Sequence, residues 1–146
     1  MTRRLKLDDY LPYRLSVASN AVSGLIAGAY QQRFGLTIPE WRLICVLAED
    51  GALTQAAIVT RTVMDKVTVS RAARSLVDKG LLARAENAGD GRSHLLTLSD
   101  EGREVHGQVA PMALDYEARL LAGLSEAEVV QLKGLLRRLQ AGAKAG

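Results

Sequence analysis

Lys66, Thr68, Ser70, Arg71 and Arg74 fall in one short stretch whose other members include Val69, Ala72, Ala73 and Leu76, recurring at helical spacing. Wound into a helix, the stretch turns its apolar side inward and presents small hydroxyls and long cations on the other. That chemistry suits double-stranded DNA. Hydroxyls and Lys66 can bond phosphate oxygens, while Arg71 and Arg74 can reach O6 and N7 of guanine in the major groove. A merely solvated amphipathic helix has the same periodicity. The surrounding elements must decide between the two.

Asp65 is placed to cap this helix, which runs to about residue 79 before Gly80 closes it. A shorter helix, capped by Thr54 and reaching about residue 61, precedes it across Thr62-Val63-Met64. Downstream the period changes: residues 81–86 and 94–98 read as strands around Asn87-Ala88-Gly89-Asp90-Gly91-Arg92-Ser93, a hairpin signal. Two short helices followed by a hairpin describe a winged helix-turn-helix, whose second helix enters the major groove. Upstream, Thr37-Ile38-Pro39-Glu40 forms a capping box that opens a helix to about residue 50, burying Trp41, Ile44, Cys45 and Ala48.

Longer helices are expected at both ends. Residues 8–34 read as one helix with Leu11, Leu15, Ala18, Val22, Leu25 and Ala29 on a stripe, and Gly24 and Gly28 one turn apart. Ser99 caps a helix carrying Val105, Val109, Met112, Tyr116 and Leu120. Ser125-Glu126-Ala127-Glu128 opens a last one with Val129, Leu132, Leu136 and Leu139 on one face, and residues 141–146 read as a frayed tail. These ends carry more apolar surface than a small central module can cover. Such an excess is normally buried against a second copy, so a symmetric homodimer is expected. The expected fold is mainly α with a small β-hairpin wing. Residues 1–35 and 99–146 supply dimerisation helices, and residues 36–98 the winged helix-turn-helix, in one compact unit.

Composition narrows the function classes. The chain has 146 residues, 48% hydrophobic and 24% charged, which is ordinary for a globular domain. No apolar run is long enough to span a membrane. Arg3, Arg4 and Lys6 make a basic start, but Asp8, Asp9 and Pro12 stand where a signal peptide needs an apolar core, so a cytoplasmic, membrane-free protein is expected. His94 and His106 lie in no spacing that makes a metal site or a nucleophile–base pair, and no Gly-rich phosphate loop follows a strand. Neither an enzyme nor a cofactor is expected. Net charge is +3, and residues 54–96 carry seven basic groups against four acidic ones, a bias toward an anionic partner.

Several motifs together extend this reading. Leu36-Thr37-Ile38-Pro39-Glu40-Trp41-Arg42, Leu53-Thr54-Gln55, Met64-Asp65-Lys66-Val67-Thr68-Val69-Ser70-Arg71, Leu76-Val77-Asp78-Lys79-Gly80-Leu81 and Gly89-Asp90-Gly91-Arg92 occur in an order that resembles the MarR family of bacterial transcriptional regulators. The resemblance covers residues from about 10 to 140. It implies a homodimer that sets two winged helices on a palindromic operator, most often as a repressor released by a small molecule. Carried across, Lys66, Thr68, Val69, Ser70, Arg71 and Arg74 fall on the recognition helix, with Thr54 on the helix before it. Asp90 and Arg92 fall on the wing motif, Arg92 as the group for the minor groove and Asp90 as its orienting partner. Two departures bear on the recognition helix's angle: Val63 stands where the family's turn usually has Gly, and Val59 replaces a usual Ala. A β-branched residue resists positive φ.

The resemblance also implies an effector crevice between the first, second and fifth helices, with Tyr10, Tyr13, Arg14, Trp41 and His106 as candidates to line it. Aromatic walls and one cation suit an aromatic carboxylate. Taken singly, Tyr13 and Trp41 read equally as core or interface residues. Asp8-Asp9-Tyr10-Leu11-Pro12-Tyr13-Arg14-Leu15 is similar to members that sense hydroxycinnamate-type acids or their coenzyme A thioesters, in which case Arg3, Arg4 and Lys6 would meet coenzyme phosphates. Two alternatives stay open: peroxide sensing through Cys45, which needs an exposed thiol of lowered pKa, and a helical interaction module without DNA affinity.

Overall fold

The computed structural model describes residues 3–89, 91 and 93–146. A 3-10 turn (Leu7–Asp9) leads into α1 (Leu11–Ala27) and the single-turn α2 (Gln31–Phe34). Then come α3 (Ile38–Asp50), α4 (Gln55–Thr62) and α5 (Lys66–Asp78), the hairpin β1 (Leu82–Glu86) and β2 (His94–Leu98), and the long helices α6 (Asp100–Leu121) and α7 (Glu126–Ala145).

Local chemistry sets most of these boundaries. Thr37 and Ser125 each complete a capping box, while Thr54, Asp65 and Ser99 each accept the backbone N–H three residues on. Gly35 closes α2 and Gly51 closes α3, both at positive φ. Val63 also adopts the left-handed conformation, at φ 59° and ψ 21°, with its N–H on the Val59 carbonyl. The turn thus has the geometry a glycine would give, and the recognition helix keeps its capped start. Left-handed backbone costs an L-residue about 1–2 kcal/mol, and Val63 is 63% exposed, so its side chain returns little packing. Val63→Gly should therefore stabilise the protein by about 0.5–1 kcal/mol after the added chain entropy is subtracted, read as a higher urea midpoint at fixed concentration.

Three expectations are corrected. Residues 8–34 do not form one helix: the N–H groups of Gly28, Ala29 and Tyr30 bond carbonyls three residues back, and Tyr30 leaves helical geometry at φ −138°. Ala29 and Tyr30 are both buried at the break. Ala48 is exposed, and Leu43, Val46 and Leu47 join Trp41 and Ile44 in the core instead. The C-terminal tail is helical to Ala145.

The core lies between α3, α5 and the base of the hairpin, where Leu36, Leu43, Ile44, Ile58, Val69, Leu76, Leu96 and Val109 are fully buried. The antiparallel strands pair Leu82 with Leu98 and Glu86 with His94. Leu53 exchanges both backbone hydrogen bonds with Leu96, tying the start of the helix-turn-helix to the wing. No helix among the described residues is long and apolar enough to cross a membrane.

Candidate nucleic-acid interface and effector crevice

Helix α5 is held from beneath and from both ends. Val69, Ala72, Ala73 and Leu76 are buried against α3 and α4. At its N-terminus Asp65 accepts the Thr68 N–H at 2.8 Å and the Thr68 hydroxyl at 2.9 Å, and these bonds hold its carboxyl below the usual range. Near its C-terminus the buried carboxylate of Glu40 accepts Ser75 Oγ at 3.0 Å and Lys79 Nζ at 2.8 Å through one oxygen. Its other oxygen takes the Thr37 N–H at 3.1 Å. The start of α3 is thereby clamped to the end of α5.

Burial alone would push the Glu40 carboxyl up, but Lys79, the Thr37 N–H and Ser75 together hold it below its ordinary value. A depressed native pKa contributes stability that is present above the unfolded value and lost as pH falls through the native one. Glu40→Gln removes that linkage. Its melting temperature should change less than the wild type's between about pH 6 and pH 3, and should lie below the wild type's at neutral pH.

The outward face of α5 is a shallow basic groove lined by Gln55, Lys66, Val67, Ser70, Arg71 and Arg74. Lys66, Arg71 and Arg74 are exposed and make no ion pair with any described residue. Ser70 and Thr68 are half-buried; the Thr68 hydroxyl is already given to Asp65, so it would have to leave that bond to reach a phosphate. Thr54 accepts the Ala57 N–H, which leaves its own hydroxyl proton free to donate. Val69 is corrected: it is fully buried, because its position on α5 faces the core, and it cannot touch DNA. Gln55 and the 58%-exposed Val67 were missed. An exposed valine has the shape to meet a thymine methyl, although it carries no charge to mark it in the sequence. Asp90 and Arg92 lie outside the described residues. Beside them, Asn87 Nδ2 donates to Ser93 Oγ at 3.0 Å.

A separate crevice of about 440 Å³ opens between α1, α3 and α4. Val22, Ile26, Ile38 and Val46 supply its apolar walls, Tyr30 and Trp41 stack beside it with ring centroids 5.5 Å apart, and Arg42 and Arg61 bring two guanidinium groups. Of the five residues expected to line an effector site, Trp41 alone lines this crevice. Tyr10, Tyr13 and Arg14 sit at the opposite end of α1, about three turns from the Val22–Ile26 stretch that faces the crevice. His106 stacks on Trp41 at 5.6 Å but lines another hollow, with Leu47, Thr97 and Arg103. Arg3, Arg4 and Lys6 are exposed and apart from the crevice. Tyr30 and Arg61 had no signal in the sequence, since their places depend on the break after α1 and on how α4 packs.

Cys45 is half-buried in the crevice wall. Burial, with Glu49 adding to it, pushes its thiol up to about 12, so almost no thiolate exists at neutral pH. That is the opposite of what a peroxide sensor needs. Tyr30 is also shifted up by burial, against the pull of Arg42.

The sequence model of the MarR family matches residues 34–93. A probable transcriptional regulator from Pseudomonas aeruginosa is 32% identical and superposes with a TM-score of 0.82, covering 92% of this chain and 99% of that one. An HTH-type transcriptional repressor from Mycobacterium tuberculosis is 28% identical over 130 residues, 89% of this chain and 91% of its own length. BpsR of Bordetella bronchiseptica, whose DNA binding is regulated by 6-hydroxynicotinic acid, is 25% identical with a TM-score of 0.87 over 94% of this chain and 98% of that one.

Proposed function

This chain belongs to the MarR family of DNA-binding transcriptional regulators, and from that footing we propose that it is a homodimeric repressor released from a palindromic operator by an aromatic carboxylate. The observation that carries the reading is the basic face of α5, unpaired among the described residues and held rigid by a buried apolar side and a clamp at each end. In this reading Lys66, Ser70 and Thr54 position the helix on phosphates, Arg71 and Arg74 read base edges, and Asp90 and Arg92 serve the wing. The relatives are regulators rather than enzymes, and work on DNA of that kind supports a cytoplasmic location.

Dimerisation is supported by surface the protomer leaves uncovered. No residue of α7 is buried, and Leu132, Leu135, Leu136 and Leu139 all stand exposed. A largely apolar groove of about 700 Å³ runs between α1, α6 and α7, lined by Leu15, Val22, Ile26, Leu114, Leu132 and Leu136. A second copy brings the matching helices, and a two-fold axis then sets two α5 helices about one turn of DNA apart. An effector in the α1–α3–α4 crevice would sit where the dimerisation helices meet the helix-turn-helix, and so can favour a spacing that no longer fits successive grooves. The crevice suits the acid rather than its coenzyme A thioester, because two arginines line it together with the aromatic pair and the N-terminal cations do not.

The test is fluorescence anisotropy with DNA from upstream of the protein's own gene, with and without 6-hydroxynicotinate or 4-hydroxybenzoate. Tight, sequence-dependent binding reversed by one of these acids is the expected result. Equal binding to scrambled DNA, or no binding at low salt from a folded dimer, would remove the repressor reading.

A further inference from the structure

Arg61 lines the effector crevice and is also the only cation bridging α4 to the end of α3 among the described residues. Its Nη2 lies 3.4 Å from Glu49 Oε2 and its Nε 3.3 Å from Asp50 Oδ2. Both pairs reach solvent, with 51% of the Arg61 side chain, 67% of Glu49's and 33% of Asp50's open, so each is weak and easily exchanged. Arg42, the other guanidinium of the crevice, belongs to α3 itself and has no ion-pair partner among the described residues. The two arginines therefore sit on opposite sides of the α3–α4 junction, and Arg61 stands two residues before the left-handed turn at Val63 that leads into α5.

We propose that the carboxylate of the effector takes Arg61 from Glu49 and Asp50 and shares it with Arg42, and that this exchange of partners is what moves the helix-turn-helix. It rests on the reading that the crevice takes an aromatic acid. Glu49 and Asp50 tie α4 to the end of α3 in the free protein. A carboxylate lying against the Tyr30–Trp41 stack offers Arg61 a two-oxygen partner in a half-enclosed site, where charged hydrogen bonds are stronger than at the open surface. Following it, Arg61 pulls the last turn of α4 toward the crevice, and α5 moves with it across Val63. Glu49 and Asp50 are then competitors of the ligand, and their negative charge keeps the crevice closed to weak anions.

The test compares calorimetric binding of 6-hydroxynicotinate, 4-hydroxybenzoate and their neutral amides to the full-length dimer. Glu49→Gln with Asp50→Asn should tighten acid binding by about threefold to tenfold, the range two exposed ion pairs command, and leave amide binding unchanged. Arg61→Gln should erase the preference for acid over amide, which in the wild type should be about tenfold or more. Circular dichroism and sedimentation confirm that each variant is a folded dimer, as the exposure of these side chains leads one to expect. Binding blocked by Cys45→Trp, which fills the crevice from its α3 wall and lies outside the α1–α6–α7 groove, but unmoved by the Arg61, Glu49 and Asp50 changes would overturn the exchange while leaving the crevice as the effector site. Failure of every acid to bind the wild type, or binding indifferent to Cys45→Trp, would overturn the effector reading and the exchange with it.

Discussion

Replacing Arg71 with alanine is expected to weaken operator binding by about 2–6 kcal/mol per dimer, because each of two half-sites loses about 1–3 kcal/mol of base contact. The side chain is exposed, unpaired among the described residues and mounted on a helix whose opposite side is buried. Removing it should therefore leave folding and dimerisation alone. Competition against scrambled DNA should also show a loss of preference at one base position, since a guanine contact carries sequence information and a phosphate contact does not. Lys66→Ala should behave differently, weakening all sequences alike and lowering the salt dependence. Val69→Ala supplies the converse control. It sits on the same helix but fully inside, so it should cost stability and spare the intrinsic contact with DNA.

The largest effect on stability is expected from Gly102→Ala. Gly102 lies in the first turn of α6, buried against the base of the wing, and a Cβ there would overlap the Leu81 carbonyl and crowd the Leu98 side chain. That carbonyl is fixed: it accepts the Ser99 N–H at 3.0 Å, while Ser99 Oγ donates to the Gly80 carbonyl at 2.6 Å. No rotamer change relieves a clash with backbone. Alanine gains up to about 1 kcal/mol in helix propensity, but overpacking against a fixed group costs about 1–3 kcal/mol and at times more. The clash wins. A fall of several degrees in melting temperature is expected, with the wing displaced from the start of α6. Gly107→Ala, on the same helix with nothing within 4 Å of its Cβ, should instead be neutral or stabilising. A stable Gly102→Ala protein with unchanged DNA affinity would show that the α6–wing junction is softer than its hydrogen bonds imply.

What the sequence disclosed follows from the range of the interactions involved. Caps act over three residues, so Thr37, Thr54, Asp65, Ser99 and Ser125 announce their helices directly. The polar face of α5 and the hairpin are equally local. The break at Gly28 is not, because it is decided by the burial of Tyr30 and its stacking on Trp41. Nor is the clamp at Glu40, whose partners Ser75 and Lys79 lie 35 and 39 residues away. The same limit explains why Tyr10, Tyr13 and Arg14 do not line the crevice. Tyr10, Tyr13 and Arg14 share a helix with Val22 and Ile26, but a helix rises about 1.5 Å per residue and the crevice faces only its far end. Val69 was misassigned for a simpler reason: a motif carried over as a block took an inward-facing position along with the outward ones. Val63 shows the reverse case, a residue that opposes the local conformation and adopts it because the packing of α4 and α5 demands it.

Hydroxyl-radical footprinting of the protein on DNA from upstream of its own gene tests most directly whether two copies of α5 read a palindrome. Two protected patches on one face of the duplex, centred about 10 base pairs or a multiple of that apart and related by two-fold symmetry in the sequence, are the result expected of the dimer. A single unsymmetrical patch, or protection that follows no sequence and vanishes uniformly with salt, would contradict it.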